Sequence, residues 1–195
     1  MVGVGIDLKQ DESKVAVNTA ELNHILDKTI SFINNCDNKV SILLGIYGIF
    51  LTILFTSYGF LNVVAIIKSA IASKLGKLFI ACMVFFFVLA CYGIVRLIMA
   101  LTAKTDSPIE IKDETIELDS NIYFEHIIKN KSYYSYKQKI IQCSLEDYKN
   151  DLISQIYLNS KICSRKYRHY KYGMLSSFVG IFAFMFLWGI GALIY

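Results

Sequence analysis

The chain has 195 residues, 55% hydrophobic and 14% aromatic, with a single proline and a net charge of +4. That composition agrees with a membrane protein, and what excludes a soluble domain is the clustering of the apolar residues, whose surface it could not cover. The excess is gathered in three stretches. Residues 40–67 carry no charge, residues 78–103 carry only Arg96, and residues 172–195 are uncharged to the last position. About 20 apolar residues cross a bilayer core as a helix, so each stretch predicts a span.

In chain order, residues 1–17 show no periodicity and read as a flexible tail without the charged-then-apolar pattern of a cleavable signal peptide. Asn18 with Glu21 forms a capping-box signal, and Leu22, Ile25, Leu26, Ile30 and Ile33 follow at helical spacing. This predicts an amphipathic helix over 18–39 that runs straight into the first span, since no Gly or Pro intervenes near the junction. Residues 40–103 then hold the first two spans and a short connection. In 104–125, Ile109, Ile111, Ile116 and Leu118 alternate with polar and mostly acidic residues, which suggests a hairpin or extended lid. Residues 126–171 carry ten basic residues against three acidic ones. Within them Ser144-Leu145-Glu146-Asp147 signals a helix start, and Tyr148, Leu152, Ile156 and Cys163 share a face. That helix is predicted to continue unbroken into the third span, 172–195.

Sixteen Lys and Arg flank the spans in the tail and the 104–171 segment, against Lys68, Lys74 and Lys77 in the short connection. The positive-inside bias places the N-terminus and the 104–171 module in the cytoplasm, and the short connection and C-terminus outside. The five cysteines are scattered, with no disulfide or zinc spacing, and His24, His126 and His169 are isolated. No nucleophile, metal or phosphate-loop set emerges, so the sequence predicts neither an enzyme nor a cofactor.

Two constellations carry chemistry. Asp37, Ser41, Gly45, Gly48, Thr52, Thr56 and Gly59 recur at intervals of three and four, a face of small or weakly polar residues. It suits close helix packing first, and after that a pore or gate in which Asp37, Gly48, Thr52 and Thr56 line the path. In the polar module, Lys129, Lys131, Lys137 and Lys139 interleave with Tyr133 and Tyr136, and Arg165, Lys166 and Arg168 precede the third span. Cations among aromatics suit phosphates and stacked bases; next to a span they also suit anchoring to anionic membrane lipid. Arg96 stands close to a span boundary, where its head group can snorkel.

The segment Phe32-Ile33-Asn34-Asn35-Cys36-Asp37-Asn38-Lys39-Val40-Ser41-Ile42-Leu43-Leu44 resembles the way the Pycsar-effector-type transmembrane proteins of bacterial anti-phage defence begin their first span. Ile122-Tyr123-Phe124-Glu125-His126-Ile127 resembles their short aromatic motif. Tyr148, Gln155-Ile156-Tyr157, Asn159-Ser160-Lys161-Ile162 and Lys166-Tyr167 resemble the helix feeding their third span. The chain departs from the family pattern at Val40, where alanine is usual, and at Glu125, where glycine is frequent. The resemblance spans about residues 20–195. It implies a killing arm in the bacterial inner membrane, with a partner cyclase or nucleotidyltransferase supplying a nucleotide second messenger. Related effectors answer cyclic pyrimidine mononucleotides, and in the Hailong arrangement a short single-stranded DNA holds a similar effector shut. It also implies a homo-oligomer, with four subunits the expected number.

The expectation is an all-α integral membrane protein with three transmembrane helices and a helical cytoplasmic module, assembled as a symmetric homo-oligomer and gated by a nucleotide or oligonucleotide. Two alternatives of other classes are a non-conducting scaffold that docks a cytoplasmic protein and a lipid-interacting membrane-stress protein.

Overall fold

The computed structural model describes residues 17–102 and 120–194, and these are helical with no strand among them. The helices are α1 (Thr19–Leu54), α2 (Ser57–Ala70), α3 (Lys74–Leu101), α4 (Phe124–Ile128), α5 (Tyr133–Gln142) and α6 (Leu145–Ile194). Three of them, α1, α3 and α6, are long and apolar enough to cross a membrane. The hairpin or lid expected from Ile109, Ile111, Ile116 and Leu118 lies outside the described residues.

Both predicted helix starts are built as the sequence suggests. The Glu21 carboxylate accepts from the Asn18 N–H at 3.1 Å. The Ser144 hydroxyl accepts from the Asp147 N–H at 3.1 Å, while the Asp147 carboxylate accepts from the Ser144 N–H at 3.0 Å and from its hydroxyl at 2.6 Å. From that cap α6 runs 50 residues to Ile194, roughly 75 Å at 1.5 Å per residue. The Ser144 bonds hold the Asp147 carboxyl below its usual range, the side-chain bond first and the backbone bond second. A depressed folded-state pKa contributes stability above the unfolded value, and that stability is lost as pH falls on through the folded value, so acid should begin to weaken this cap below about pH 4. Ser144→Ala is expected to have the same effect at neutral pH. In both cases amide exchange should quicken at residues 145–148 and stay unchanged in 172–194.

The two longest helices run parallel and in one register. Leu22 meets the level of Leu152 in one apolar cluster, and Leu54 meets Phe184 in another. Between them Asp37 binds Lys166 and Tyr47 binds Ser177, so partners stay 129 or 130 residues apart throughout. The reason is a seam on α1: Leu22, Leu26, Thr29, Ile33, Cys36, Val40, Leu43, Tyr47, Phe50 and Leu54 follow alternate steps of four and three, and all are buried or half-buried. A repeat of 3.5 residues keeps one stripe facing a partner through a gentle left-handed supercoil. The same seam therefore serves in water at one end and in hydrocarbon at the other.

Helix α3 returns antiparallel along α6, where the backbones approach closely. A Cβ at Gly93 would lie 2.6 Å from Ser177 Cα, one at Gly180 2.5 Å from the Ala90 nitrogen, and one at Gly173 3.0 Å from the Gly93 carbonyl oxygen. Only small residues let helices meet at this range, and dispersion between them replaces the missing hydrophobic drive in lipid. Tyr47 joins the third helix to this contact by a 3.0 Å hydrogen bond between its hydroxyl and that of Ser177.

One expectation fails at residues 55–56. The uncharged stretch 40–67 forms two helices and not one, because α1 ends at Leu54 and α2 begins at Ser57. Thr56 is the pivot: its backbone is extended, its hydroxyl donates to the Ile53 carbonyl at 2.7 Å, and its oxygen accepts from the Gly59 N–H at 3.2 Å. It closes one helix and caps the next, so the polar groups freed by the break are met locally, as a hydrocarbon setting demands. Thr56 and Gly59 consequently leave the small-residue face, which ends at Thr52.

Candidate functional site

The turn at residues 120–123 is tied by hydrogen bonds to both α5 and α6. Ser120 begins the described segment and is 1% exposed. Its hydroxyl accepts from the N–H groups of Ile122 and Tyr123 at 3.1 and 3.0 Å, making the turn that starts α4. Its own N–H donates to His126 Nδ1 at 3.0 Å, which sets that ring as an acceptor at this nitrogen. Asn121 then ties the turn to two helices. Its N–H donates to Asp151 Oδ2 at 2.8 Å, and its carbonyl accepts from the Tyr136 hydroxyl at 3.1 Å. Asp151 is 2% exposed on α6, beside Leu152.

This polar knot holds unspent capacity. Asp151 Oδ1 and the Asn121 side-chain oxygen are both buried and have no hydrogen-bond partner among the described residues. A buried acceptor left unmet costs free energy, so the arrangement favours any donor that reaches it. Sequence alone does not single out Ser120, Asn121 or Asp151. Their one signal is the Ile122–Ile127 motif, which begins right after the turn.

Of the lysines and tyrosines expected to bind ligand in this module, Tyr136 touches the knot and the others lie on α5 or the link before it. Lys129 and Lys131 are exposed between α4 and α5, and α5 itself carries the exposed Lys137 and the half-buried Lys139. Tyr133 is 79% exposed, a ring presented to solvent, whereas Tyr136 is half-buried and committed to Asn121. Ring contacts between Tyr123 and Phe124 at 4.9 Å, and Tyr123 and His126 at 5.5 Å, extend the aromatic surface.

The second basic group stands elsewhere. Lys166 lies 15 residues beyond Asp151, about 22 Å along α6. It is not an open cation, because its ammonium donates to both Asp37 oxygens at 2.7 and 2.8 Å with only 7% of its side chain exposed. Asp37, expected at a pore mouth, is thus its ion partner across the α1–α6 seam. Arg168 is exposed and Arg165 half-buried on the same helix. Arg96 of α3 reaches this level, with its guanidinium 5.9 Å from the Tyr92 and Tyr172 ring centres. That is the arrangement of a snorkelling cation held between aromatic rings at the edge of a span. Burial, followed by Arg96, Arg168 and Arg165, holds His169 below its ordinary pKa, so it is neutral at pH 7. Burial likewise pushes the Cys36 and Cys163 thiols up, which leaves neither as a thiolate.

Of the remaining pore candidates, Gly48 and Thr52 face away from the rest of the chain. Both are exposed, and a Cβ at Gly45 or Gly48 would meet nothing within 4 Å. The Thr52 hydroxyl donates to the Gly48 carbonyl at 2.9 Å. The close-packed small residues inside the chain are those of α3 and α6 instead.

The sequence matches the Pycsar effector protein domain over residues 21–194. It is 32% identical over 159 residues to the Pycsar effector protein GmPycTM of Gulbenkiania mobilis, an alignment that covers 76% of this chain and 80% of that protein. No solved structure matches it. With three helices able to cross a membrane, and with both the first-span segment and the Ile122–Ile127 motif inside the matched region, the chain belongs to the Pycsar effector protein family.

Proposed function

We propose that this protein is an anti-phage defence effector of the bacterial inner membrane, in which a nucleotide or short oligonucleotide bound at the polar module alters a homo-oligomeric pore or lesion. The N-terminus and the 104–171 segment face the cytoplasm in this reading, and the C-terminus faces outward. The observation that carries it is the α1–α6 seam, which links the polar knot to the spans without a joint on α6. A ligand seated near Asp151 acts on a helix that is itself a span. The exposed Lys129, Lys131 and Lys137 would meet phosphates, and Tyr133 would stack on a base.

The test is leakage from proteoliposomes with cyclic CMP, cyclic UMP and short single-stranded DNA added in turn, alongside direct binding of each. Lys137→Glu with Lys139→Glu is expected to abolish the response while insertion persists, because α5 lies outside the spans. Binding should also weaken with salt. The log–log slope should be about one for a mononucleotide and several units for an oligonucleotide that neutralises several phosphates. Unchanged affinity and salt dependence in the double reversal would remove the assignment.

A second reading has one specific support. Ile128, Tyr133, Ile141 and Leu145 are 65–79% exposed in a part of the protein bathed by water, and such patches mark protein contacts. Docking of another protein on α4–α5 predicts that Ile141→Asp removes the response while nucleotide binding is retained.

A further inference from the structure

The break between α1 and α2 leaves a cavity beneath it. Its volume is about 220 Å³, and Leu54, Phe60, Val63, Met83, Phe87 and Phe184 are among its lining residues, drawn from four helices. Three properties fix what it can hold. The lining side chains are all apolar, and Thr56 at the break spends its hydroxyl on Ile53 and Gly59. A water inside would find no partners, and cavities of this kind stay dry or take hydrocarbon. The level is that of Phe184, 12 residues or about 18 Å past Tyr172 along α6, which is inside the ~30 Å core of the bilayer. The rim opens sideways, because Phe55, Phe60 and Val84 are 66%, 56% and 55% exposed, and at that depth exposure means contact with lipid tails. An engineered apolar cavity of about 150 Å³ already takes benzene, so this one accommodates a length of acyl chain.

We infer that the cavity is a hydrocarbon site, in which an acyl chain of a bilayer phospholipid inserts laterally and wedges between α2, α3 and the end of α1. The chain supplies the dispersion contacts that Leu54, Met83 and Phe184 otherwise lack on one side. It needs no headgroup chemistry, so chain length and unsaturation should matter more than headgroup. This inference is independent of the nucleotide reading.

The experiment uses the full-length protein in detergent, stripped of lipid and then given phosphatidylglycerol or phosphatidylethanolamine with matched acyl chains. Retained lipid is read by native mass spectrometry, and thermal midpoint by unfolding. In the wild type a phospholipid should be retained and the midpoint should rise with added lipid, as for any ligand bound to the folded state. Val63→Phe, which fills the void, should lose the retained lipid and most of the lipid-dependent rise, starting from an equal or higher midpoint without lipid. Val63→Ile provides the milder filling should Phe prove too large, with a partial loss expected. Val88→Phe, on an exposed part of α3, should behave as wild type. The inference is overturned if the filled variants retain lipid and respond to it like wild type. It is equally overturned if filling leaves lipid retention unchanged and instead dissociates the oligomer, which would assign the cavity to a side chain of a second copy.

Discussion

Gly93→Leu and Gly180→Leu are each expected to force α3 away from α6 and to cost on the order of 3 kcal/mol, the upper end of the usual overpacking range. The cost is high because the atoms met are backbone of Ser177 and Ala90, which cannot swing aside. Unfolding in detergent should show both variants markedly less stable, and the hydrogen bond between Tyr47 and Ser177 should break with the displacement. Gly45→Leu and Gly48→Leu are the informative comparison, since their added side chains meet open space within the chain. They should leave the monomer's stability nearly unchanged. If the α1 face packs against other copies, the same two variants should reduce the assembled mass in nanodiscs. Equal destabilisation at Gly48 and Gly93 would contradict the arrangement of helices.

Lys166→Met should be the most disruptive charge change. It leaves the Asp37 carboxylate facing a seam that holds Cys36 and Val40, both fully buried. Removing one partner of a fully buried pair costs about 3–5 kcal/mol. Asp37 keeps a third of its side chain exposed, so about 2 kcal/mol is the expected loss here, with solvent screening the remainder. The double variant Asp37→Leu with Lys166→Met should recover most of it, because an apolar pair of similar volume is often as stable as the ion pair it replaces. A double-mutant cycle on thermal stability reads this coupling directly. Additive losses would mean that the two groups stabilise the fold separately. If the pair also transmits the signal, the double variant should be stable yet unresponsive in the leakage assay.

The spans and the length of α6 are legible in the sequence because they rest on local properties: an uncharged run, a Ser–Asp cap, and no residue able to stop a helix. The break at Thr56 is not. A threonine in an apolar run reads as one more small residue, and its use as a cap depends on the chain turning to bring Gly59 to its oxygen. The seam of α1 is half visible. Leu22, Leu26 and Ile33 stand out against polar neighbours, but from Val40 onward every face is apolar, so the stripe has no contrast. The Asp37–Lys166 pair joins residues 129 positions apart, and each alone looks like a mouth or a ligand contact. Asp151 resembles any surface carboxylate until the turn at Asn121 covers it. The small residues of α1 draw attention because their spacing is long and regular. The close approach within the chain falls to shorter sets, Ala90 and Gly93 facing Gly173, Ser177 and Gly180.

The joint at residues 55–56 bears on how the protein sits in bilayers of different thickness. From Val40 to Leu54, α1 supplies about 21 Å of rise, short of the ~30 Å that a core requires. The rest is made up by α2, which leans from the level of Phe184 at Leu54 to that of Gly191 at Ile66. That is a climb of about 10 Å over a length that would rise about 18 Å if it stood upright. Helices α3 and α6 are single rods packed along each other, so their tilts in the bilayer are coupled. The first span differs in having a joint, beyond which α2 is held to α3 and α6 through the buried Ala70 and Ile66. A change in membrane thickness is expected to act first at this joint, read as altered amide exchange at residues 54–59 in bilayers of different acyl length.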